Sequence, residues 1–493
     1  MREEYAHSAG LKDEINSAAI FDKYPQLFSK KNVAQAKKLF DSAGSSQEKR
    51  RARLLYAFMV GAFVGNKVKK ISDEADVFEA KAEVNVGGKN IAYRQVPTLL
   101  MNEDDRKKRK QLYLSMGKVK KKLTSYDKKL WKKDYKMIKD LTGLEYVDFC
   151  ALEKETDYDV LASQLRKFLV DTDELFTKQM AEQFSHIKVK LSDANPWDFA
   201  YLARAKMFDD YFKKENLVPT AEKFWRGLGF DITKQKNVKL DIEEREKKVP
   251  RAFCMPIRVP EEVVLVIKPH GGQDDFQAFL HESGHTEHFA NVNPNLPYEL
   301  KHMGGHAVSE SYAFLCEYLL ANKDWLKEYV GMPDDAAKRF ANFIMQQKLY
   351  FFRRYASKVL YELKLHRNDL TKLNDKFEPE SGEYKSAAEM YKDILTKATK
   401  IKYRGDNYLR DVDSGLYAAD YVRAWLFEAM LRKKLEEKFG SEWYKSKDAG
   451  SFLKSLWQWG ATGKTLDELA KDIGYSGVDI SYVTRDFLDF FNQ

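Results

Sequence analysis

The sequence predicts a mainly α fold with a small β element next to one functional helix, and three observations carry that prediction. Apolar residues recur at helical spacing through most of the 493 positions. Strand-like alternation is confined to short stretches, and the pentapeptide His281-Glu282-Ser283-Gly284-His285 follows directly on one of them. The composition agrees: 44% hydrophobic beside 32% charged residues is a globular balance, and a chain of this length buries a large core.

The elements follow in order. Ser45-x-x-Glu48 is a capping box that starts a helix through Leu54, Leu55, Phe58, Val60, Phe63 and Val64. Its later turns are apolar all round, which predicts a helix buried inside a bundle. Val84, Val86, Ile91 and Tyr93 alternate with polar residues around Gly87-Gly88 and predict a hairpin. Helical patterns resume over Leu161–Phe184 and Phe199–Phe212, with Asn195-Pro196 breaking between them. No internal repeat or low-complexity tract is present. After a densely charged stretch at Lys236–Lys248, the chain changes character at Arg251 and reaches the β-rich run Val263–Ile267. That strand ends at Pro269-His270-Gly271-Gly272, and Asp274-Asp275 start the next helix. Residues 1–250 are therefore expected to form an N-terminal helical lobe with a hairpin, and 251–493 the lobe that carries the pentapeptide.

Several function classes are disfavoured. Cys150, Cys254 and Cys316 are too few and too widely spaced for a disulfide framework or a Cys-x-x-Cys metal site. The start Met1-Arg2-Glu3-Glu4-Tyr5 lacks the apolar core of a signal peptide, and the longest apolar stretch, Leu54–Gly65, is too short to span a bilayer. A cytoplasmic protein with no membrane partner is expected. The net charge of +9 comes with lysine runs at 106–110, 118–122 and 128–139, but apolar residues alternate through them, as on the solvated face of an amphipathic helix. No nucleic-acid motif accompanies them, so no nucleic-acid partner is expected.

The pentapeptide carries the chemistry. Residues four apart on a helix lie about 5–6 Å apart on one face, so His281 and His285 can hold one zinc ion while Glu282 points to its open side. The bland alternative is a solvated helix face, but six of the nine histidines crowd between His270 and His306. Zinc needs a third protein ligand. Position 291 is Asn291 where a third histidine would complete the longer H-E-x-x-H-x-x-G-x-x-H pattern. His288 lies on the same straight helix and cannot converge with the other two. The two prolines within Asn291–Pro297 end that helix, so the next one, beginning near Gly304-Gly305, must supply the ligand. There Val308, Tyr312, Leu315 and Leu319 form an apolar stripe that also holds Glu310 and Glu317. Carboxylates are costly to bury unless paired or metal-bound. Glu310 is the expected third ligand, with Glu317 a supporting carboxylate. His302 and His306 are rivals expected to line the cleft or face solvent.

Taken together, Val264–Pro269, Phe279–His285 and Ser309-Glu310-Ser311 through Glu317 resemble the zinc oligopeptidases of the thimet oligopeptidase and oligoendopeptidase F type, whose ligand glutamate opens a Glu-x6-Glu pattern. Gly415–Tyr421 and the helix from Trp425 to Phe439-Gly440 resemble that family's substrate-binding tyrosine segment. The resemblance covers about the last 240 residues. It implies a zincin-like, two-lobed helical metallopeptidase with one Zn2+ per chain, acting on short unstructured peptides. Two departures stand out: Asp411-Val412-Asp413-Ser414 lies where the family often has a histidine, and Arg423-Ala424 where it has a further tyrosine. The length and the Glu310-Ser311 pair are also similar to the related Taq-type carboxypeptidases, whose other signature segments are missing.

The implied reaction uses Glu282 as general base for a zinc-activated water, with Tyr417 and, one turn on, Tyr421 as donors to the oxyanion. Gly405 and Gly415 would let the tyrosine segment move, and Val263–Ile267 would act as an edge strand pairing with the peptide backbone. Two rival readings remain open: a carboxypeptidase that reads a free carboxylate through an arginine such as Arg423, and a non-catalytic helical protein that binds a polyanion.

Overall fold

The computed structural model describes residues 1–12, 22–368 and 386–492, and the chain folds as a mainly α, two-lobed protein. Helix α1 (Ser46–Lys81) starts at the expected box: Ser45 Oγ accepts from the Glu48 amide at 3.2 Å and the Glu48 carboxylate from the Ser45 amide at 3.1 Å. It buries Leu54, Tyr56, Ala57, Val60, Phe63 and Val64, but Phe58 falls outside this stripe and is 49% exposed. The helix is therefore one-sided, not apolar all round. Strands β1 (Glu83–Val86) and β2 (Lys89–Ala92) form the hairpin, with Gly87 and Gly88 both at positive φ as its tight turn requires. Val84 packs with Val96, Leu112, Leu123 and Trp197 into a small separate core.

Helix α2 (Gly117–Thr142) corrects the reading of its lysines as wholly solvated. Lys120 is buried with its ammonium 4.5 Å from the Tyr113 ring centroid, and burial lowers its pKa. Arg109 is likewise buried, donating to the carbonyls of Glu103 and Asp104. Helix α3 (Tyr146–Lys154) follows. The single pattern Leu161–Phe184 is two helices, α4 (Tyr158–Asp171) and α5 (Asp173–His186). The break has a cause: the buried Arg353 guanidinium inserts at the junction, donating to the Leu169 carbonyl (2.8 Å), Thr172 Oγ1 (2.7 Å) and Asp173 Oδ1 (2.7 Å). Asn195 and Pro196 open α6 (Pro196–Ala203), and the chain leaves the α-helix at Ala205, where φ is +48°.

Strands β3 (Val238–Asp241), β4 (Phe253–Arg258) and β5 (Glu262–Val266) make a sheet of order β3-β5-β4, with β3 parallel and β4 antiparallel to β5. The run read as an edge strand is thus the central one. Its unbroken apolar sequence is what a strand covered on both faces requires, and Val263, Val264, Leu265 and Val266 are all at most 2% exposed. The strand open to a partner beside the functional helix is β4.

Helix α7 (Gln273–Ala290) carries the pentapeptide and packs on β4, β5 and α8 (Ala307–Glu317). Helix α10 (Tyr417–Phe439) packs on α8, and α9 (Asp334–His366) packs on α10 and on the turn Tyr318–Ala321 that continues α8. One continuous core runs through these elements and takes in residues from both sides of position 250, among them Phe168, Phe176, Trp225, Phe352 and Trp425. No helix among the described residues is long and apolar enough to cross a membrane.

Candidate metal centre

The two small residues inside the pentapeptide set the approach of α7 to α8. A Cβ on Gly284 would lie 2.7 Å from both Ala313 Cα and the Tyr312 carbonyl oxygen, closer than any side chain tolerates. Ser283 is fully buried, accepting from Trp225 Nε1 at 3.0 Å and donating to the Leu280 carbonyl at 2.8 Å. With the helices this close, Glu310 reaches the histidines. Its Oε2 lies 3.3 Å from His281 Nε2 and 3.6 Å from His285 Nε2. The three ligand atoms lie within 4.8 Å of one another, the one such cluster among the described residues.

This arrangement fits a metal ion. Ligand atoms about 2.0–2.1 Å from a tetrahedral zinc stand about 3.3 Å apart, close to the two separations observed. Glu310 Oε2 is buried without a hydrogen-bond partner, which leaves a carboxylate lone pair aimed between two imidazoles. Burial alone would raise the Glu310 pKa, but His285 and His281 hold it well below the usual carboxylate range. Burial alone would likewise lower that of His281, but Glu310 and Glu317 hold it well above the usual imidazole value. Two carboxylates thus face these imidazoles, and the centre calls for positive charge.

Both imidazoles are oriented from behind. His281 Nδ1 meets Glu317 Oε2 at 2.7 Å, and Glu317 Oε1 accepts from Gln277 Nε2 at 2.7 Å. Glu317 is therefore in the supporting position read from its spacing. His285 Nδ1 lies 2.7 Å from Ser309 Oγ, and the same hydroxyl lies 3.0 Å from His288 Nδ1. His288 is fully buried, and its pKa falls to about 3 through that burial, so it stands neutral behind the centre. Sequence reasoning missed Ser309 and Gln277. The signal for Ser309 was a polar residue next to Glu310 in an otherwise apolar stripe.

Glu282, one residue after His281, is partly exposed, and its Oε2 accepts the Cys254 amide of β4 at 2.8 Å. Tyr417 donates to Glu310 Oε1 at 2.8 Å, and burial together with Glu310 raises its pKa. Tyr421 stands edge-on to Tyr417 with centroids 4.9 Å apart, its pKa raised by burial and Glu310. The structure therefore brings His281, His285, Glu310, Tyr417 and Tyr421 together, with Glu282 next to His281 in the chain and its carboxylate held by β4. His306 is exposed beside this group, its ring 5.3 Å from that of Tyr417. His302 is turned elsewhere, to the Val259 amide at 3.4 Å.

The unusual positions near the tyrosines have structural roles. Asp411 pairs with Arg354 at 2.7 Å and Asp413 with Lys358 at 2.8 Å. Arg423 faces Asp467 at 3.9 Å. Gly405 is not a free hinge, since a Cβ there would meet the Ala388 carbonyl oxygen at 2.9 Å. Gly415 has φ +66° in the turn before Tyr417 and donates its amide to Tyr146 Oη at 2.7 Å.

No protein-family model matches the sequence, and no curated protein matches it. Solved structures do match in fold. One assigned as an oligoendopeptidase F from Bacillus anthracis str. Ames aligns with a TM-score of 0.66 at 15% identity, covering 96% of this chain and 84% of that one. PZ peptidase A, solved with an inhibitor, gives 0.65 at 14% identity over 96% and 86%. A chain from Chlamydophila abortus assigned as a peptidase gives 0.62 at 14% over 94% and 80%. At these identities the likeness is one of fold.

Proposed function

We propose that the chain is a zinc-dependent peptidase that hydrolyses short unstructured peptides. The observation that carries this reading is the orphaned, buried Glu310 Oε2 facing two imidazole nitrogens at zinc-ligand separations, with Glu282 on the same helix as those imidazoles. The likeness of fold to chains assigned as peptidases supports the reaction class.

In this reading His281, His285 and Glu310 hold the metal. A zinc ion there supplies a Lewis acid that brings the pKa of water down to about 7. Glu282 takes the proton as the peptide carbonyl is attacked and returns it to the leaving amine. The Cys254 amide holds one oxygen of its carboxylate, which leaves Oε1 for the proton. Tyr417 keeps Glu310 oriented through Oε1 and, with Tyr421, supplies phenol hydroxyls to the developing oxyanion. An extended substrate would lie along the outer edge of β4. Pro256 offers that edge no amide, so pairing there draws on backbone carbonyls.

The test is a metal analysis of the purified full-length chain combined with digestion of a peptide library. One zinc per chain and internal cleavage of end-blocked peptides are expected, with Glu282→Gln retaining zinc and losing at least ~10³-fold in kcat. Cleavage confined to peptides with a free C-terminus would favour the carboxypeptidase reading. A chain without stoichiometric zinc that hydrolyses nothing would favour the binding protein.

A further inference from the structure

A cavity of about 540 Å3 lies between α1, α2, α3 and the 409–415 segment. None of His281, His285, Glu310 or Tyr417 lines it. Its volume is that of a small-ligand site, typically ~300–1,000 Å3. Three carboxylates reach it, Asp127 and Asp134 from α2 and Glu153 from α3, against a single cation, Arg410. That arginine is already divided between Asp127 Oδ1 at 2.9 Å and Glu79 Oε2 at 3.0 Å. Asp127 Oδ2 and Asp134 Oδ1 are buried, with no hydrogen-bond partner. Asp127 as a whole is only 8% exposed. The cavity is open to solvent on one side and Asp134 is partly exposed in it, but buried carboxylate oxygens without a partner are costly, and the cost falls when a cation enters.

The spacing decides what kind of cation. Asp127 and Asp134 stand seven residues apart on one helix, about 10.5 Å along its axis, too far to close on a single metal ion. Between them on the same face is Trp131, and Tyr146 adds a second aromatic wall. A carboxylate, an aromatic surface and a second carboxylate in line suit an elongated organic cation, with its charge on a carboxylate and its stem on the rings.

We propose that this cavity binds an organic cation, a guanidinium or alkylammonium group on an apolar stem, with Asp134 as its principal anchor. The source is either a basic side chain of a bound peptide or a free amine. Only the peptide source rests on the peptidase reading. The cavity adjoins the metal centre through one turn: Tyr146 in its wall accepts the Gly415 amide, two residues before Tyr417. Burial pushes Asp134 up to about 7 and Asp127 up to about 6. The charged and titratable groups that line the cavity with Asp134 are Asp127, Tyr146, Cys150, Glu153 and Arg410, and Tyr135 on its own helix also interacts with it; α1 brings none to the cavity.

The experiment is calorimetric titration of the full-length chain at pH 8 with n-butylguanidinium and its neutral counterpart butylurea. The guanidinium is expected to bind at least tenfold more tightly than the urea. Its affinity should fall at least tenfold in Asp134→Asn, and in the unaltered chain about tenfold per pH unit below the Asp134 pKa. Equal binding of the two compounds, no binding, or affinity insensitive to both the substitution and pH would overturn the proposal. The pH series needs no variant and so stands even where the substitution perturbs folding. A parallel titration uses the Glu282→Gln chain with end-blocked peptides that differ only by arginine or citrulline. A preference for arginine assigns the source to the bound peptide; no preference, with n-butylguanidinium still bound, assigns it to a free amine. Failure of peptide hydrolysis leaves the n-butylguanidinium result untouched, so the two readings fail separately.

Discussion

Substituting Gly284 by alanine tests whether the close approach of α7 and α8 builds the metal centre. The added Cβ would sit 2.7 Å from Ala313 Cα and from the Tyr312 carbonyl oxygen. Ordinary contact is about 3.5–4.0 Å, so the helices must part by about 1 Å. Neither obstacle can turn aside, because both are backbone atoms. The same displacement acts on the separations of 3.3 and 3.6 Å between Glu310 Oε2 and the two imidazoles, whereas metal-ligand distances tolerate about 0.2 Å. Overpacking of this kind costs about 1–3 kcal/mol, and the loss of ligand geometry should cost at least the ~10–100-fold in affinity that follows removal of a supporting partner. The assay is equilibrium competition for zinc against a chromophoric chelator, with thermal unfolding of the metal-free chain measured alongside. Gly61→Ala is the control. Gly61 lies within α1 with nothing within 4 Å of its Cβ position, and there alanine should stabilise by about 0.5–1 kcal/mol. A Gly284→Ala chain that binds zinc with unaltered affinity would refute the reasoning.

Other outcomes follow from the same geometry. Ser309→Ala removes the hydroxyl shared by His285 and His288 and should lower zinc affinity about 10–100-fold by chelator competition while far-UV circular dichroism stays unchanged. Tyr417→Phe removes the donor to Glu310 Oε1 and a phenol from the reaction, so kcat for a peptide substrate should drop about 10²–10³-fold with zinc content retained on metal analysis. Asp134 gives a pH signature in stability. Its folded pKa is raised to about 7, above the unfolded value of about 3.9, so its ionisation opposes folding. That penalty is absent below about pH 4, grows as pH rises and is complete above about pH 7. The stability gained by Asp134→Asn in urea unfolding should follow the same course: small at pH 4, rising to a plateau above pH 7.

Spacing along single helices made much of the centre legible in the sequence. His281 and His285 meet because they are four apart on α7, and Glu310 and Glu317 meet them because seven residues return to one face of α8. Contacts between remote segments were not legible. The order β3-β5-β4 depends on Val238–Asp241, a run too polar to announce itself, pairing with the middle of the sheet. The hold of the Cys254 amide on Glu282 involves a backbone group, which leaves no mark on residue identity. The break at Thr172 is made by Arg353, about 180 residues away, so no local pattern reports it.

The Ser309 hydroxyl carries a single hydrogen and touches an imidazole nitrogen on each side. It can give that hydrogen to only one of them and must take one from the other. Were a metal bound at His285 Nε2, its Nδ1 would bear the hydrogen and Ser309 would pass its own to His288. Reversing the run would move a hydrogen onto the metal-facing nitrogen. The three residues therefore have two arrangements of opposite polarity, and only one would leave His285 free to hold a metal, so filling the centre would fix a direction that extends two side chains into the core.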